Sequence, residues 1–401
     1  MIRAEDLLSK LIDAMEDPIL QEGLRRAVKA SVPATNRALQ SWPYLAELAD
    51  YVRKRKETVY SNIDYYIDET LRAIKEKAKA NAYFASNKDE ALKIIDSIIG
   101  NERKTIVKAK SMVTEEIMLR EHLTEKGHEI YETDLGELLI QIAKDKPMHV
   151  IAPACHLTKE RAAELLSSIG VKVTKGMDAE KIVPEVRAFL REKFVKADIG
   201  ISGANSIASD TGAFFLVFNE GNISLATTLP PVHIALISID KIMPTITDAF
   251  MQAVVQSGYA GLYPPTYIYM IAGPSSTADI EYHRVYGVHG PRELHIILYD
   301  GGRKEALKNP VLKEQLFCVK CGRCEFVCPI WNIAGNVWGG RVYGGPLGMG
   351  WTSITEGIEK AAPLSMYCLL CGACKEACPG KVDMIKIARY LKREYIEKIR
   401  K

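Results

Sequence analysis

Apolar runs long enough to cross a bilayer are missing from this 401-residue sequence. The longest, around Phe214–Phe218 and Ile234–Ile239, are strand-sized, against the roughly 18 to 20 residues that a spanning helix needs. The opening stretch, MIRAEDLLSKLIDAMED, carries acids early and no apolar core before a cleavage site, so no secretory leader is expected. One-sided charge is also missing. The 53 basic and 50 acidic side chains leave a net +3 spread along the chain, which argues against nucleic acid as the main partner. No Gly-x-Gly-x-x-Gly opens a helix, so the nicotinamide and flavin fingerprint is absent. None of the eight histidines shows metal spacing. These absences point to the cytoplasm, with a peripheral position at the inner face of a membrane reached only through partners.

Cysteine is nearly absent before residue 318, and then abundant. Cys155 stands alone, while the other eight of nine fall between 318 and 378. They form two runs, Cys318-x-x-Cys321-x-x-Cys324-x-x-x-Cys328-Pro329 and Cys368-x-x-Cys371-x-x-Cys374-x-x-x-Cys378-Pro379. Three cysteines at steps of three let one short loop bind three irons of a cubane, and the fourth, before proline, reaches the other cluster. The expected cofactors are therefore two [4Fe–4S] clusters. The first is assigned to Cys318, Cys321, Cys324 and Cys378, and the second to Cys368, Cys371, Cys374 and Cys328. Gly322, Gly372 and Ala373 keep the loops open to close approach by backbone amides. Zinc sites more often show paired C-x-x-C or histidine ligands, and structural disulfides do not suit a reducing compartment.

Upstream, residues 1–80 read as a helical region packed on the next domain, from the three- and four-residue apolar spacing of LLSKLIDAM, LQEGLRRAV and YLAELADYVRKR. Residues 81–303 read as an α/β domain with a mainly parallel sheet. Strands at Thr105–Val107, His149–Ala152 and Ile199–Ser202 alternate with helices at Glu115–Glu125 and Lys159–Ile169. AFFLVF, NEGN and ISLATTL read as a hairpin turning at Gly221, and VHIALISI and ELHIILYD as buried strands. Residues 304–401 read as the α-helical ferredoxin-type domain, entered through a helical linker at Lys304–Glu314 and closed by a helix capped by Asp383 with Met384, Ile387, Ala388, Leu391 and Tyr395 on one stripe. Between the cysteine runs, GNVWGGRVYGGPLGMGW reads as a long loop whose Trp338, Tyr343 and Trp351 shield the clusters or dock a partner, with docking preferred.

Other chemistry-bearing residues fall at strand ends and turns, where α/β folds bind ligands: Gly203, Asn205, Asp210, Thr211, Gly212, Glu220 and Asn222. For any one of them taken singly, turn chemistry is the favoured explanation. Lys108, Lys110, Thr114 and Glu115 follow a strand and precede a helix, a place where amides bind anions or merely begin the helix. His233, His295 and Cys155 read as core residues.

Several long segments are familiar. KSMVTEEI (Lys110–Ile117), ETDLGELLIQIAKDKPMHVIAPACH (Glu132–His156), ADIGISGAN, TGAFFLVFNEGN, TTLPPVHIALISIDKIMPT and HGPRELHIILYDGGR (His289–Arg303) resemble the lactate-utilization (LUD) domain. With the double cysteine run behind them, roughly residues 20–390 resemble the lactate utilization protein B family. The resemblance implies a fold similar to ribose-phosphate isomerases and CoA-transferases. It also implies a part in L-lactate oxidation beside a CCG-type cysteine-rich subunit and a second LUD-type subunit or a flavin dehydrogenase. The family has Ala-Glu-Thr-Gly-Thr where this chain has Ser209-Asp210-Thr211-Gly212-Ala213; related transferase folds use a glutamate as nucleophile, and the shorter Asp210 would reach differently, so any job of that acid is altered here. Cys155 replaces an aliphatic residue.

Three roles follow as expectations. The first is an electron-transfer subunit of an L-lactate dehydrogenase-type complex, passing electrons toward the respiratory chain. The second is a catalytic subunit whose α/β domain itself oxidises the acid, with Asp210 as the candidate. The third is an assembly module whose clusters are structural.

Overall fold

A computed structural model describes residues 4–399. Among the described residues, twelve strands occur in chain order: β1 (Asn81–Ala85), β2 (Thr105–Lys108), β3 (Glu129–Glu132), β4 (Ile199–Ser202), β5 (Ser206–Ala208), β6 (Phe214–Phe218), β7 (Val232–Ser238), β8 (Ile242–Met243), β9 (Tyr267–Ile271), β10 (Ser276–Thr277), β11 (Val285–Tyr286) and β12 (Glu293–Tyr299). Six of them form a wholly parallel sheet in the order β1-β12-β7-β4-β2-β3. Its central strands carry near-continuous apolar runs because helices cover both faces. On β7, Ile234 and Leu236 join the core under the helices Lys88–Ile99 and Leu119–Glu125. Ala235 and Ile237 face the opposite core with Ile67, Ile74 and Phe214. A second, four-stranded sheet, β8-β5-β6-β9, carries the turn that holds Asp210.

The four N-terminal helices divide their allegiance. Ala4–Glu16 and Pro18–Ser41 bury Leu7, Leu11, Leu20 and Leu24 in one core with Phe326, Trp331, Trp338, Met384 and Leu391 of the cysteine-bearing region. The Gln21 side chain donates to the Ile333 carbonyl at 2.6 Å. Tyr44–Ser61 packs instead on the helix Ile246–Tyr259, through Leu45, Ala49 and Val52. Among the described residues, no helix is long and apolar enough to cross a membrane.

Several expectations are corrected. ISLATTL is not the second arm of a hairpin. Gly221, at φ 79°, starts the helix Asn222–Thr228, and Ala226 of that helix lies so close to Gly200 on β4 that any Cβ there would overlap its carbonyl. Packing against the sheet overrides the β propensity of Ile and Thr. His149–Ala152 is not a strand either. Its polar groups are taken up by the cysteine region and by each other: the Val150 amide donates to Glu325 at 3.3 Å, and the Ile151 amide to His149 Nδ1 at 3.1 Å. The helix expected over Glu115–Glu125 is broken at Met118, whose φ of 55° is left-handed, leaving Met112–Glu116 and Leu119–Glu125. The linker helix ends at Lys308, because Pro310 holds its predecessor extended, and a 3-10 turn covers Leu312–Phe317. The glycine-rich stretch is half helix (Gly345–Thr355), and Trp338, Tyr343 and Trp351 are all buried, which removes them as a docking face. Asp383 caps its helix as expected, accepting from the Lys386 amide.

Candidate functional site

The two cysteine runs fold as copies of one another. In the first, Lys320 and Gly322 are left-handed (φ 58° and 77°) and a short helix follows at Arg323–Phe326. In the second, Leu370 and Gly372 are left-handed (φ 58° and 85°) and the helix is Ala373–Glu376. This repeated reversal turns amides inward onto sulfur. The Lys320 N–H donates to Cys318 Sγ at 3.3 Å, and its counterpart in the second run, the Leu370 amide, serves Cys368. The Arg323 amide serves Cys321. Behind the prolines, Ile330 and Trp331 amides reach Cys328, and Gly380 and Val382 amides reach Cys378. Amides aimed at sulfur stabilise thiolates and tune cluster potentials. None of the nine cysteines is paired in a disulfide.

Neighbour relations cross between the runs. Cys378 lies within charge range of Cys318 and Cys321. Cys328 lies within range of Cys368 and Cys371, and Cys374 senses Cys328. Burial pushes the thiols of Cys328 and Cys378 up to about 11, so metal loading must drive proton release from them. Among the described residues, no three His, Cys, Asp or Glu side chains converge on a single metal ion. The donor set itself, eight thiols with inward amides, fits two four-iron cubanes.

Exposure separates the two loops. Cys318, Cys321, Cys324 and Cys328 are buried, whereas Cys371 is exposed and its neighbour Leu369 is 62% exposed. The buried loop rests on His149, whose ring stacks on Phe326 with centroids 3.9 Å apart and whose Nε2 donates to the Gly322 carbonyl at 3.1 Å. Burial lowers His149 to about 3 and raises the Glu325 carboxyl beside it, so desolvation pushes both groups toward their neutral forms. A Cβ at Gly322 would stand 2.5 Å from His149 Cε1, whereas one at Gly372 would meet only Ile385 Cδ1 at 3.3 Å. Gly322→Ala is therefore expected to cost most of the iron of the buried loop, and Gly372→Ala to lose markedly less. Iron analysis of the two variants purified without oxygen checks this.

A cavity of about 360 Å³ adjoins the buried loop. Its lining brings together Lys110, Gly203, Asn205, Glu220 and Asn222, five of the residues singled out in the sequence. Asp210, Thr211 and Gly212 are not part of that lining. Their turn packs on the helix Ile63–Glu76, with Gly212 against Ile74, and the Lys77 amine donates to the Asp210 carbonyl at 2.5 Å. Lys108 also lies elsewhere, buried with Glu132 at 2.9 Å and Glu115 at 3.0 Å. The helix that was to bind an anion beside it has only five residues. His233 is a core residue, its Nε2 2.7 Å from Ser202 Oγ and its Nδ1 buried without a hydrogen-bond partner among the described residues.

Sequence reasoning missed Lys241 and Lys320, which line the same cavity. Burial, with the charge of Lys320 next to it, lowers Lys241 to about 7. Glu220 is exposed at the mouth but its carboxyl is packed among neighbours, and that burial, with the charge of Asp134, raises it to about 7. A more open cavity of about 630 Å³, lined by Arg187, Arg191 and Phe194, shares Glu220 and Asn222 with this one but does not touch the cysteine loops.

The LUD domain family matches residues 68–299, and the 4Fe-4S dicluster domain family matches residues 314–382. Lactate utilization protein B of Shouchella clausii is 34% identical over 376 residues, covering 91% of this chain and 76% of its own. This chain belongs to the lactate utilization protein B family. The Bacillus subtilis lactate utilization protein B is 33% identical and covers 90% of this chain and 73% of its own. A crystal structure of a DUF162 family protein from Deinococcus radiodurans covers 60% of this chain and 98% of its own, with 16% identity and a TM-score of 0.29. Within that family, the chain joins a parallel-sheet α/β LUD domain to a helical region that carries two [4Fe–4S] clusters.

Proposed function

We propose that this chain is the electron-transfer subunit of an L-lactate oxidation system. Cys318, Cys321, Cys324 and Cys378 hold an inner [4Fe–4S] cluster, and Cys328, Cys368, Cys371 and Cys374 an outer one. The observation that carries this reading is the contrast in burial between the two runs, sealed thiols in the first and an exposed Cys371 in the second. When bound, each cluster supplies a one-electron couple whose potential answers to burial, charge and N–H···S bonds. The chain's own residues set those quantities differently at the two loops. Lys320, Arg53 and Arg323 bring positive charge to the inner one: Arg53 lies over the Phe317 ring at 4.0 Å and donates to the Gly380 carbonyl. Around the outer one, Leu369 and Cys371 offer an apolar, accessible edge for exchange with a partner. The partners are the remaining subunits of the lactate system, a CCG-type cysteine-rich protein and a second LUD protein or flavin dehydrogenase, through which electrons pass toward the respiratory chain.

Electron paramagnetic resonance on anaerobically purified protein with its co-purifying partners tests the reading. One sample receives L-lactate and another dithionite. Reduced-cluster signals in both place the clusters on the path from lactate. A signal with dithionite alone removes lactate as the donor, and clusters that cannot be reduced reversibly remove the electron-transfer role itself.

A further inference from the structure

We propose that β9 is a dimerisation edge, through which two copies of this chain pair antiparallel and join their four-stranded sheets into one. This pairing is independent of the electron-transfer role. β9 is the outermost strand of its sheet, bound on one side to β6 and on the other to no strand among the described residues. Which of its backbone groups are left over follows from β6. The Asn205 amide donates to the Phe215 carbonyl at 2.8 Å, and the Val217 amide donates to Asn205 Oδ1 at 2.9 Å. Phe215 and Val217 thus turn their polar groups away from β9. Phe214, Leu216 and Phe218 face it, and use the groups of their partners Ile271, Tyr269 and Tyr267. The N–H and C=O groups of Ile268 and Met270 point outward, and none of the four has a partner among the described residues.

Those four groups lie symmetrically about Tyr269. A second β9 running antiparallel, with Tyr269 against Tyr269, satisfies all of them. Ile268 then exchanges both its bonds with the other copy's Met270, and Met270 with the other copy's Ile268, as an isologous contact requires. The side chains agree. Met270 lies opposite Phe215 on β6, whose ring is 5.9 Å from that of Phe250. Met270 is 52% exposed and Phe250 44%, so an apolar face runs out to the free edge.

Edges that stay free in monomers are blunted by charge, proline, a bulge or brevity. β8, at the far edge of the same sheet, is two residues long and buried. β9 reads YIYMI, with neither charge nor proline, and none of its five residues is buried. The segment after it is apolar too. Eight of the 21 exposed large apolar side chains among the described residues fall within residues 262–288, where Tyr282 is 98% exposed. Aromatic and methionine side chains are enriched in protein contacts. Charge favours a second copy as the occupant. Asp279, Glu281 and Arg284 are all exposed, and none has an ion-pair partner among the described residues. Free charges of both signs in one stretch suit a copy of the same surface, whereas a wholly acidic or basic partner would oppose some of them.

Sedimentation velocity on the full-length protein with both clusters loaded, over a micromolar dilution series, should show a dimer that dissociates on dilution. Met270→Lys puts a charge on the outer edge, and Met270→Pro removes an outward N–H while the bonds to β6 remain. Each should raise the dimer dissociation constant about tenfold or more. Iron content checks that the variants fold, and if Met270→Pro does not, Met270→Lys decides. Hydrogen exchange locates the contact: the Ile268 and Met270 amides should exchange about tenfold or more slowly in the dimer than in the diluted protein. A monomer throughout the series, a dimer that Met270→Lys leaves intact, or equal exchange of these amides in both samples overturns the pairing. So does a complex with a different co-purifying chain that Met270→Lys releases, because that chain then holds the edge.

Discussion

Replacing Cys378 with alanine is expected to strip the inner cluster and leave the outer one, although Cys378 lies in the second run. Iron should fall from about eight to about four per chain, since each cubane carries four. The reason is the crossing of the runs. Cys378 sits within charge range of Cys318 and Cys321, and Pro379 and the amides of Gly380 and Val382 fix it there. Cys328→Ala should do the converse, because Cys328 faces Cys368 and Cys371. A chelator identifies which cluster survives. Iron that depends on the exposed Cys371 should be removed quickly from Cys378→Ala protein, and the iron left in Cys328→Ala protein should resist. If each run binds its own four irons, the two variants exchange behaviour and the crossed assignment is wrong.

Arg303→Met is expected to be the most destabilising single change outside the cysteines, by about 3–5 kcal/mol, because it strands two buried carboxylates. Arg303 is 1% exposed, grips Glu116 through both terminal nitrogens at 3.0 and 2.8 Å, and donates Nε to Asp240. Tyr343 of the cluster region adds a hydrogen bond to the same Glu116 at 2.6 Å, so the network fastens the cluster-bearing region to the α/β sheet. Chemical denaturation of the loaded protein measures the loss. Burial alone would raise Asp240, but the charges of Lys320, Arg303, Lys241 and Lys56 outweigh it and hold the carboxyl well below its ordinary 3.8. Its contribution is therefore complete above that pH and is lost as the pH falls below it. In Arg303→Met the acid limb of the stability profile should flatten.

The cysteine runs were legible because cubane ligation forces cysteines at steps of three within one loop with a fourth before proline, and the chain carries that whole pattern twice. The central strands were legible because burial on both faces demands unbroken apolar runs, as in VHIALIS. ISLATTL misled because seven residues carry too little periodicity to separate a helix from a strand, and the deciding contact, Gly200 on Ala226, comes from a different strand. His149 misled because its partners, Gly322 and Glu325, lie more than 170 positions away. The cavity was half legible. Its amides and Glu220 sit at recognisable turns, whereas Lys241 follows a strand and Lys320 occupies a variable position inside a C-x-x-C. Only the fold brings those two residues to one cavity.

The first two helices cover the cluster region, and this sets the order in which the chain matures. Gln21 must wait for Ile333, 312 positions downstream, before its side chain finds that acceptor. At ordinary synthesis rates that interval is on the order of 15 to 60 seconds. Throughout it, Leu7, Leu11, Leu20 and Leu24 have no partners from the region that later encloses them. Those partners are themselves arranged by loops that need iron to hold their thiolates together. Iron supply therefore governs how the beginning of the chain settles. Cells starved of iron should accumulate protein nicked within residues 4–41, the sheet behind it already formed.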